Sequence, residues 1–279
     1  MILLQTIFTH RESRGFFFQG GTAIRWFYGG LRFSEDLDFA SALPGDRTGE
    51  ILKSLEREFG RQLAANFGPG EVTIRQKSSS PSSYRTFVDY RPAGARNKIS
   101  IKMEFESLQA GKEPDSRRLI MQSSPAVSNL LREGILKVPG FPGVITLETP
   151  EEILSDKQRA LLERGYTKGR DFFDIWYLTR TMGIKPDPQR LGRKLEMYRT
   201  PFRVRTPAAF YAGLSGLPPV ERKGLIQTIR SDLSRFISPE MIEVFEQDEF
   251  TELLDAVQQA FQEMAASKEV DFDQFREKT

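Results

Sequence analysis

The segment Gly20-Gly21-Thr22-Ala23-Ile24-Arg25-Trp26-Phe27-Tyr28-Gly29-Gly30-Leu31-Arg32-Phe33-Ser34-Glu35-Asp36-Leu37-Asp38-Phe39 links a glycine pair to two alternating carboxylates. Asp36, Leu37, Asp38 and Phe39 alternate polar and apolar, which is strand periodicity. Both Asp side chains therefore share one face, about 6.6 Å apart along the strand. Carboxylates so spaced can hold one divalent ion, or two ions roughly 3.5–4 Å apart. Gly20 and Gly21 let a ligand approach the backbone closely. The helix predicted after them directs its N-terminal N–H groups at that ligand and favours phosphate. A phosphate cradle beside a metal-binding carboxylate pair is the equipment of a nucleotide-handling enzyme.

The rest of the chain bounds this reading. Its 279 residues suffice for two domains with sizeable cores. A net charge of +2 implies little about partners. The absence of cysteine excludes disulfides, Cys-ligated zinc and thiol catalysis, and is in keeping with a reducing cytoplasm. Met1-Ile2-Leu3-Leu4 runs at once into polar residues with no basic stretch before it, so it does not read as a signal peptide. No apolar run approaches the ~18 residues of a membrane span. The one histidine, His10, reads as a solvated helix-end residue, which argues against histidine triads and zinc sites.

In order, residues 1–10 read as an amphipathic helix with Leu3, Leu4, Ile7 and Phe8 on one face. Phe16–Phe18 reads as a buried strand. Thr22 is expected to cap a helix from Ala23 to about Tyr28, which Gly29-Gly30 ends. Residues 32–34 read as loop, and Pro44-Gly45 closes the unit. One helix is predicted over 48–66, a strand over 71–76, a serine-rich loop over 78–83 and a strand over 84–90. Residues 99–106 alternate strictly: Ile99, Ile101, Met103 and Phe105 face the core, and Ser100, Lys102, Glu104 and Glu106 face outward. Antiparallel pairing would bring that polar face near Asp36 and Asp38. Residues 107–149 are expected to be loops with edge strands at Leu136–Val138 and Val144–Leu147, a candidate flap. Thr149-Pro150-Glu151-Glu152 is a helix start, with a capping Thr, Pro at the first position and then acids. Beyond it the apolar pattern is helical, including Leu191–Tyr198. The expected division is a mixed-sheet domain over 1–149 and an all-helical domain over 150–279, an α+β architecture.

Charge in the helical half is uneven. From Lys157 to Arg205 there are thirteen Lys and Arg against five Asp and Glu. That tract reads equally as an RNA footprint or as an ordinary solvated surface. From Glu240 onward the sign reverses, with twelve acids against three bases, a solvated face or one that packs against the basic tract. Lys157, Ala160, Leu161 and Arg164 fall on one helix face, and Asp171 and Asp174 share a face of the next helix. A lysine so placed is either a snorkelling surface group or a neutraliser of phosphate charge.

Taken together, Gly-Gly-Thr-Ala-Ile…Tyr…Arg-Phe-Ser-Glu-Asp-Leu-Asp-Phe at 20–39 and Lys157…Ala160-Leu161…Arg164…Arg170-Asp171…Asp174 with Trp176-Tyr177-Leu178 resemble the AbiEii/AbiGii toxin family, a branch of the polymerase-β-like nucleotidyltransferases. The first motif is long and specific, and the order and separation of the two fit. Residues 200–279 carry no matching motif, and the stretch before Gly20 is short for the family.

The resemblance implies a polymerase-β-like fold and metal-dependent nucleotidyl transfer. Gly20, Gly21 and Thr22 would border the triphosphate, with Ser34 at the motif serine. Asp36 and Asp38 would hold Mg²⁺ or Mn²⁺ and, through it, the NTP phosphates. Lys157 would contact the triphosphate, and Asp171 would match the late aspartate, with Asp174 the weaker match. Glu104 is the candidate third metal carboxylate, ahead of Glu106 and Asp89; its bland reading is a solvent-facing strand residue. Arg32 could reach a phosphate, or pair with Asp171 or Glu35. The resemblance also implies toxin action on an acceptor such as the 3′ end of tRNA, and a cognate antitoxin that need not touch the toxin. Nucleotidylation of a protein or small molecule, and a non-catalytic NTP- or RNA-binding module, are the competing readings. The expected site lies between the sheet and helical domains.

Overall fold

The protein is described here by a computed structural model covering residues 1–137, 143–267, 270 and 272–275. In chain order the elements are α1 (Ile2–Thr9), β1 (Phe16–Gln19), α2 (Gly20–Phe27), β2 (Leu37–Ser41), α3 (Gly45–Ser54), α4 (Glu56–Phe67), β3 (Gly70–Ser80), β4 (Ser83–Pro92), β5 (Ile99–Ser107), β6 (Ser116–Ile120), α5 (Pro125–Arg132) and β7 (Val144–Glu148). There follow α6 (Pro150–Glu163), α7 (Gly169–Trp176), α8 (Pro188–Leu195), α9 (Ala208–Ala212), α10 (Pro219–Leu233), α11 (Pro239–Gln247) and α12 (Thr251–Ser267). The architecture is α+β, as expected. The described chain forms two compact units. The first is Met1–Gly30, Ser34–Thr149 and Met197–Thr200; the second is Leu31–Phe33, Pro150–Glu196 and Pro201–Thr279. The units interleave in sequence, which a single boundary at residue 149 does not convey.

The first unit is built on a mixed sheet in the order β3-β4-β5-β2-β1-β7-β6. β2 runs antiparallel to β1 but parallel to β5, correcting the antiparallel expectation. Two helices and a hairpin separate β2 from β5, enough chain for a crossover that returns in the same direction. The face assignment survives, because registered residues on neighbouring strands share a face in either direction.

One sheet face is aromatic. The rings of Phe39 and Phe105 stack at 4.4 Å and 4°. Phe16 lies 5.1 Å from Phe105, and Phe18 lies 5.3 Å from Phe39. All four are buried, each contributing about 1.5–3 kcal/mol. On the other face, Phe17 and Ala40 are buried with Leu108, Met197 and Tyr198. Met197–Thr200 reaches the sheet through a bridge between Leu108 and Tyr198, and through bonds from Gln109 N to Met197 O and from Arg199 N to Ser107 O. The helix expected over 191–198 therefore stops at Leu195.

Other local expectations change for identifiable reasons. The predicted 48–66 helix is two helices meeting at Leu55, and Gly45 opens the first instead of closing the preceding unit. A Cβ on Gly45 would stand 2.2 Å from the Ser80 carbonyl oxygen, so only glycine lets the β3–β4 turn approach. The serine loop is mostly strand. β3 runs to Ser80 and β4 starts at Ser83, with the register shifting between Gln76 and Ser78, because ladder pairing outweighs weak strand propensity. In 107–149, β6 is the edge strand, while β7 lies inside the sheet between β1 and β6. Helix α5 was not anticipated, although Ser124-Pro125 is the same kind of start as Thr149-Pro150; the Ser124 hydroxyl accepts from Val127 N. Of the expected Leu136–Val138 strand, Leu136 lies in the bend after α5, and Val138 lies outside the described residues.

The second unit is helical. α7 packs on α6, α10 and α12. A Cβ on Gly169 would stand 2.4 Å from the Ile229 carbonyl oxygen, so α7 begins in backbone contact with α10. Leu31–Phe33 joins this unit through a buried ion pair. Arg32 Nε and Nη2 each donate to Asp174, at 2.6 Å, and Phe33 N donates to Phe236 O at 2.7 Å. Arg32 thus pairs with Asp174 on α7, a partner beyond the Asp171 and Glu35 that the sequence suggested.

Burial alone would raise the Asp174 pKa, but the charges of Arg32 and Lys157 reverse this and hold it at about 2. A carboxylate lowered in the folded state adds stability above its unfolded pKa, and that stability is lost as pH falls toward 2. Asp174→Asn removes the buried carboxylate that Arg32 and Lys157 share. It is expected to cost about 3–5 kcal/mol in urea unfolding at neutral pH, followed by tryptophan fluorescence, and to flatten the acid limb between pH 4 and 2. An unchanged urea midpoint would refute the structural role of the pair.

Candidate functional site

In the first unit, the two ends of the Gly20–Phe39 segment come together. β1 delivers Gly20 at its C-terminal end, and Gln19 registers with Asp38 on β2. Gly20 has φ +79°, the left-handed region that favours glycine. A Cβ there would lie 2.6 Å from Asp38 Oδ2, so the Asp38 carboxylate occupies the space that a side chain would take. It thereby stands at the first turn of α2, where unpaired N–H groups favour anions.

Thr22 does not cap α2, which starts at Gly20, but lies within its first turn. Its hydroxyl donates to the Asp36 carbonyl oxygen, and Ser34 Oγ is 2.9 Å from Thr22 Oγ1. Thr22 and Ser34 therefore clamp the loop that carries Asp36 onto α2. Asp36 and Asp38 are both partly exposed, as a ligand site requires.

Glu104 registers with Asp38, as Met103 does with Leu37. Continued by one residue, this register sets Asp36 beside Lys102, and the Lys102 ammonium lies 3.1 Å from Asp36 Oδ2 and 2.9 Å from Glu104 Oε2. Arg85 on β4 meets the other Glu104 oxygen at 3.0 Å. Desolvation by burial lowers the Lys102 pKa, but Glu104 and Asp36 outweigh it, and the net direction is upward. Sequence reasoning places Lys102 only on the polar face of β5; its two-residue spacing from Glu104 is the signal that could have singled it out.

The alternatives to Glu104 are less well placed. Asp89 is held by Ser100 at 2.5 Å, Lys98 at 2.6 Å and Arg75 at 3.3 Å. Burial opposes its ionisation, but these partners hold its pKa at about 2. Glu106 registers with Ala40, two positions beyond the Asp38 pairing. Among the described residues no three His, Cys, Asp or Glu side chains already form a metal cage. The donor set nonetheless fits a hard divalent ion. Asp36 and Asp38 offer oxygen ligands, and a cation, the Lys102 ammonium, already lies between Asp36 and Glu104.

The second unit assembles the other predicted cluster. Lys157 Nζ is 2.7 Å from Asp174 and 3.3 Å from Asp171. Arg164 also pairs with Asp171. The Lys157 side chain is largely shielded beside the buried Asp171 and Asp174, and that desolvation, aided by Arg32 and Arg164, lowers its pKa despite Asp174. It is therefore not a snorkelling surface group. The basic tract is largely spent internally. Arg159 pairs with Glu163, Arg170 with Asp232, Arg190 with Glu152, and Lys194 with Glu152 and Asp156. Arg180, Lys185, Arg193, Arg203 and Arg205 are exposed. Among the described residues no helix is long and apolar enough to cross a membrane.

Two solved structures share this fold. One is of a candidate nucleotidyltransferase from H. pylori, 17% identical, with a TM-score of 0.53 over 96% of this chain and 93% of that one. The other, of JHP933 from Helicobacter pylori, is 18% identical, with a TM-score of 0.53 over 95% and 90%. No curated protein sequence matches the chain. Residues 2–278 match the model of the family described as nucleotidyl transferase AbiEii toxin, type IV toxin–antitoxin system. The chain belongs to the AbiEii family of nucleotidyltransferase toxins.

Proposed function

We propose that this toxin transfers a nucleoside monophosphate from an NTP to the 3′ end of tRNA in the cytoplasm. The observation that carries the reading is the seating of the Asp38 carboxylate in the Gly20 notch at the head of α2, beside Asp36. That arrangement suits a nucleotide triphosphate and the cation it brings. In the reaction an acceptor hydroxyl oxygen bonds to the α-phosphorus, its proton is lost, and the bond from that phosphorus to the pyrophosphate oxygen breaks.

Asp36 and Asp38, with Glu104 as third carboxylate, would hold Mg²⁺ or Mn²⁺, which when bound supplies polarisation of the α-phosphate and activation of the attacking hydroxyl. The N–H groups of the Gly20–Thr22 turn and the Ser34 hydroxyl bind phosphate oxygens. Lys157 and Asp171 take the roles that the family resemblance implies for them, in keeping with their ion pair. Arg32 and Asp174 act structurally. The exposed arginines and Lys185 of the helical unit favour an RNA acceptor, and membership of a type IV toxin family implies a cognate antitoxin that need not bind the toxin.

Full-length protein with labelled NTP is expected to label tRNA, and Asp36→Ala to reduce the rate by at least ~10²-fold, the usual weight of one electrostatic contact. Label persisting in Asp36→Ala would overturn the site, and label on total protein in place of tRNA would overturn the acceptor. Gly20→Ala introduces the 2.6 Å clash with Asp38 and a strained φ. It is expected to lower the rate by about 10²-fold, the typical cost of a 1 Å misplacement, and the strained φ to lower the melting temperature as well. Wild-type kinetics in Gly20→Ala would remove the notch from the mechanism.

A further inference from the structure

The polar face of β5 carries a lysine where the proposed metal site needs another carboxylate free. Lys102 and Glu104 stand two residues apart on one strand face, opposite Asp38 on the neighbouring parallel strand and Asp36 in the loop just before it. The ammonium lies within 3.1 Å of Asp36 Oδ2 and 2.9 Å of Glu104 Oε2. The side chains are 26%, 36% and 30% exposed respectively, so the ammonium has a route to water when it leaves. A lysine ammonium is a compact, strongly hydrated point charge on a flexible stem, suited to exchange with a metal ion. Arg85 contacts the other oxygen of Glu104, so that carboxylate keeps a partner when Lys102 departs.

The geometry points to Lys102 as a tethered competitor of the divalent ion. Its ammonium bridges Asp36 and Glu104 in the metal-free protein, must swing away when metal binds, and thereby sets the metal affinity and the moment at which Glu104 can join the site. This rests on the metal-binding role proposed for Asp36 and Asp38 and goes beyond it, because Lys102 acts against the ion.

The test is Mn²⁺ binding to the full-length protein, without nucleotide, by calorimetry and by the paramagnetic signal of free Mn²⁺. Lys102→Met is expected to tighten binding about tenfold, the factor that two half-exposed ion pairs of ordinary strength represent. Lys102→Arg, which keeps the charge, is expected to stay within about twofold of wild type on the same basis. Glu104→Gln is expected to weaken binding more in the Lys102→Met background than alone. Lys102→Gln, another neutral side chain, replaces Lys102→Met if circular dichroism shows the latter misfolded. Asp38→Asn is the control for the underlying site. If wild type binds Mn²⁺, Asp38→Asn does not, and Lys102→Met binds no more tightly, the competitor role is overturned while the metal site stands. If wild type binds no Mn²⁺, or Asp38→Asn binds as well as wild type, the metal site falls and the inference with it.

Discussion

The parallel pairing of β2 with β5 is the constraint on which the first unit depends. One register places Phe39 on Phe105 and Asp38 beside Glu104. The ring stack and the carboxylate pair stand on opposite faces of the same strands, because side chains alternate with period two. A slip by one residue would bury the carboxylates and expose the rings. The aromatic core therefore holds the acidic site in register, and desolvation of charge opposes any slip.

The two ends of the Gly20–Phe39 segment are held by different devices. At one end Gly20 gives up a side chain, and the Asp38 carboxylate takes the space. At the other, the Thr22 hydroxyl grips the Asp36 backbone carbonyl and meets Ser34. Both positions suit phosphate binding in the family reading, but here they also have a scaffold role. A substitution at Thr22 or Ser34 would disturb the position of Asp36 even before any nucleotide arrives.

In the helical unit, electrostatics is dominated by burial. Arg32, Lys157, Arg164, Asp171 and Asp174 form one network, and charges removed from water must be paired. This explains why the basic tract of the sequence does not become a uniformly basic surface. Arg159, Arg190 and Lys194 likewise meet Glu163, Glu152 and Asp156. Charge counted along a chain overstates the charge that a folded surface presents.

Local pattern in the sequence establishes the α+β class, the alternation of β5, the helix start at Pro150 and the strand that carries Asp38, although that strand begins at Leu37 and leaves Asp36 in the loop before it. These follow from local periodicity and capping, which neighbouring residues set alone. The family, too, was legible from two motifs. The folded structure adds that β2 and β5 run parallel, that Arg32 meets Asp174, that Met197–Thr200 closes on the sheet, and that Lys102 reaches Asp36. Each is a pairing between residues far apart in the chain, and the competing partners are chemically equivalent. Local pattern cannot rank them; the closure of the fold does, by bringing one pair within ion-pairing distance.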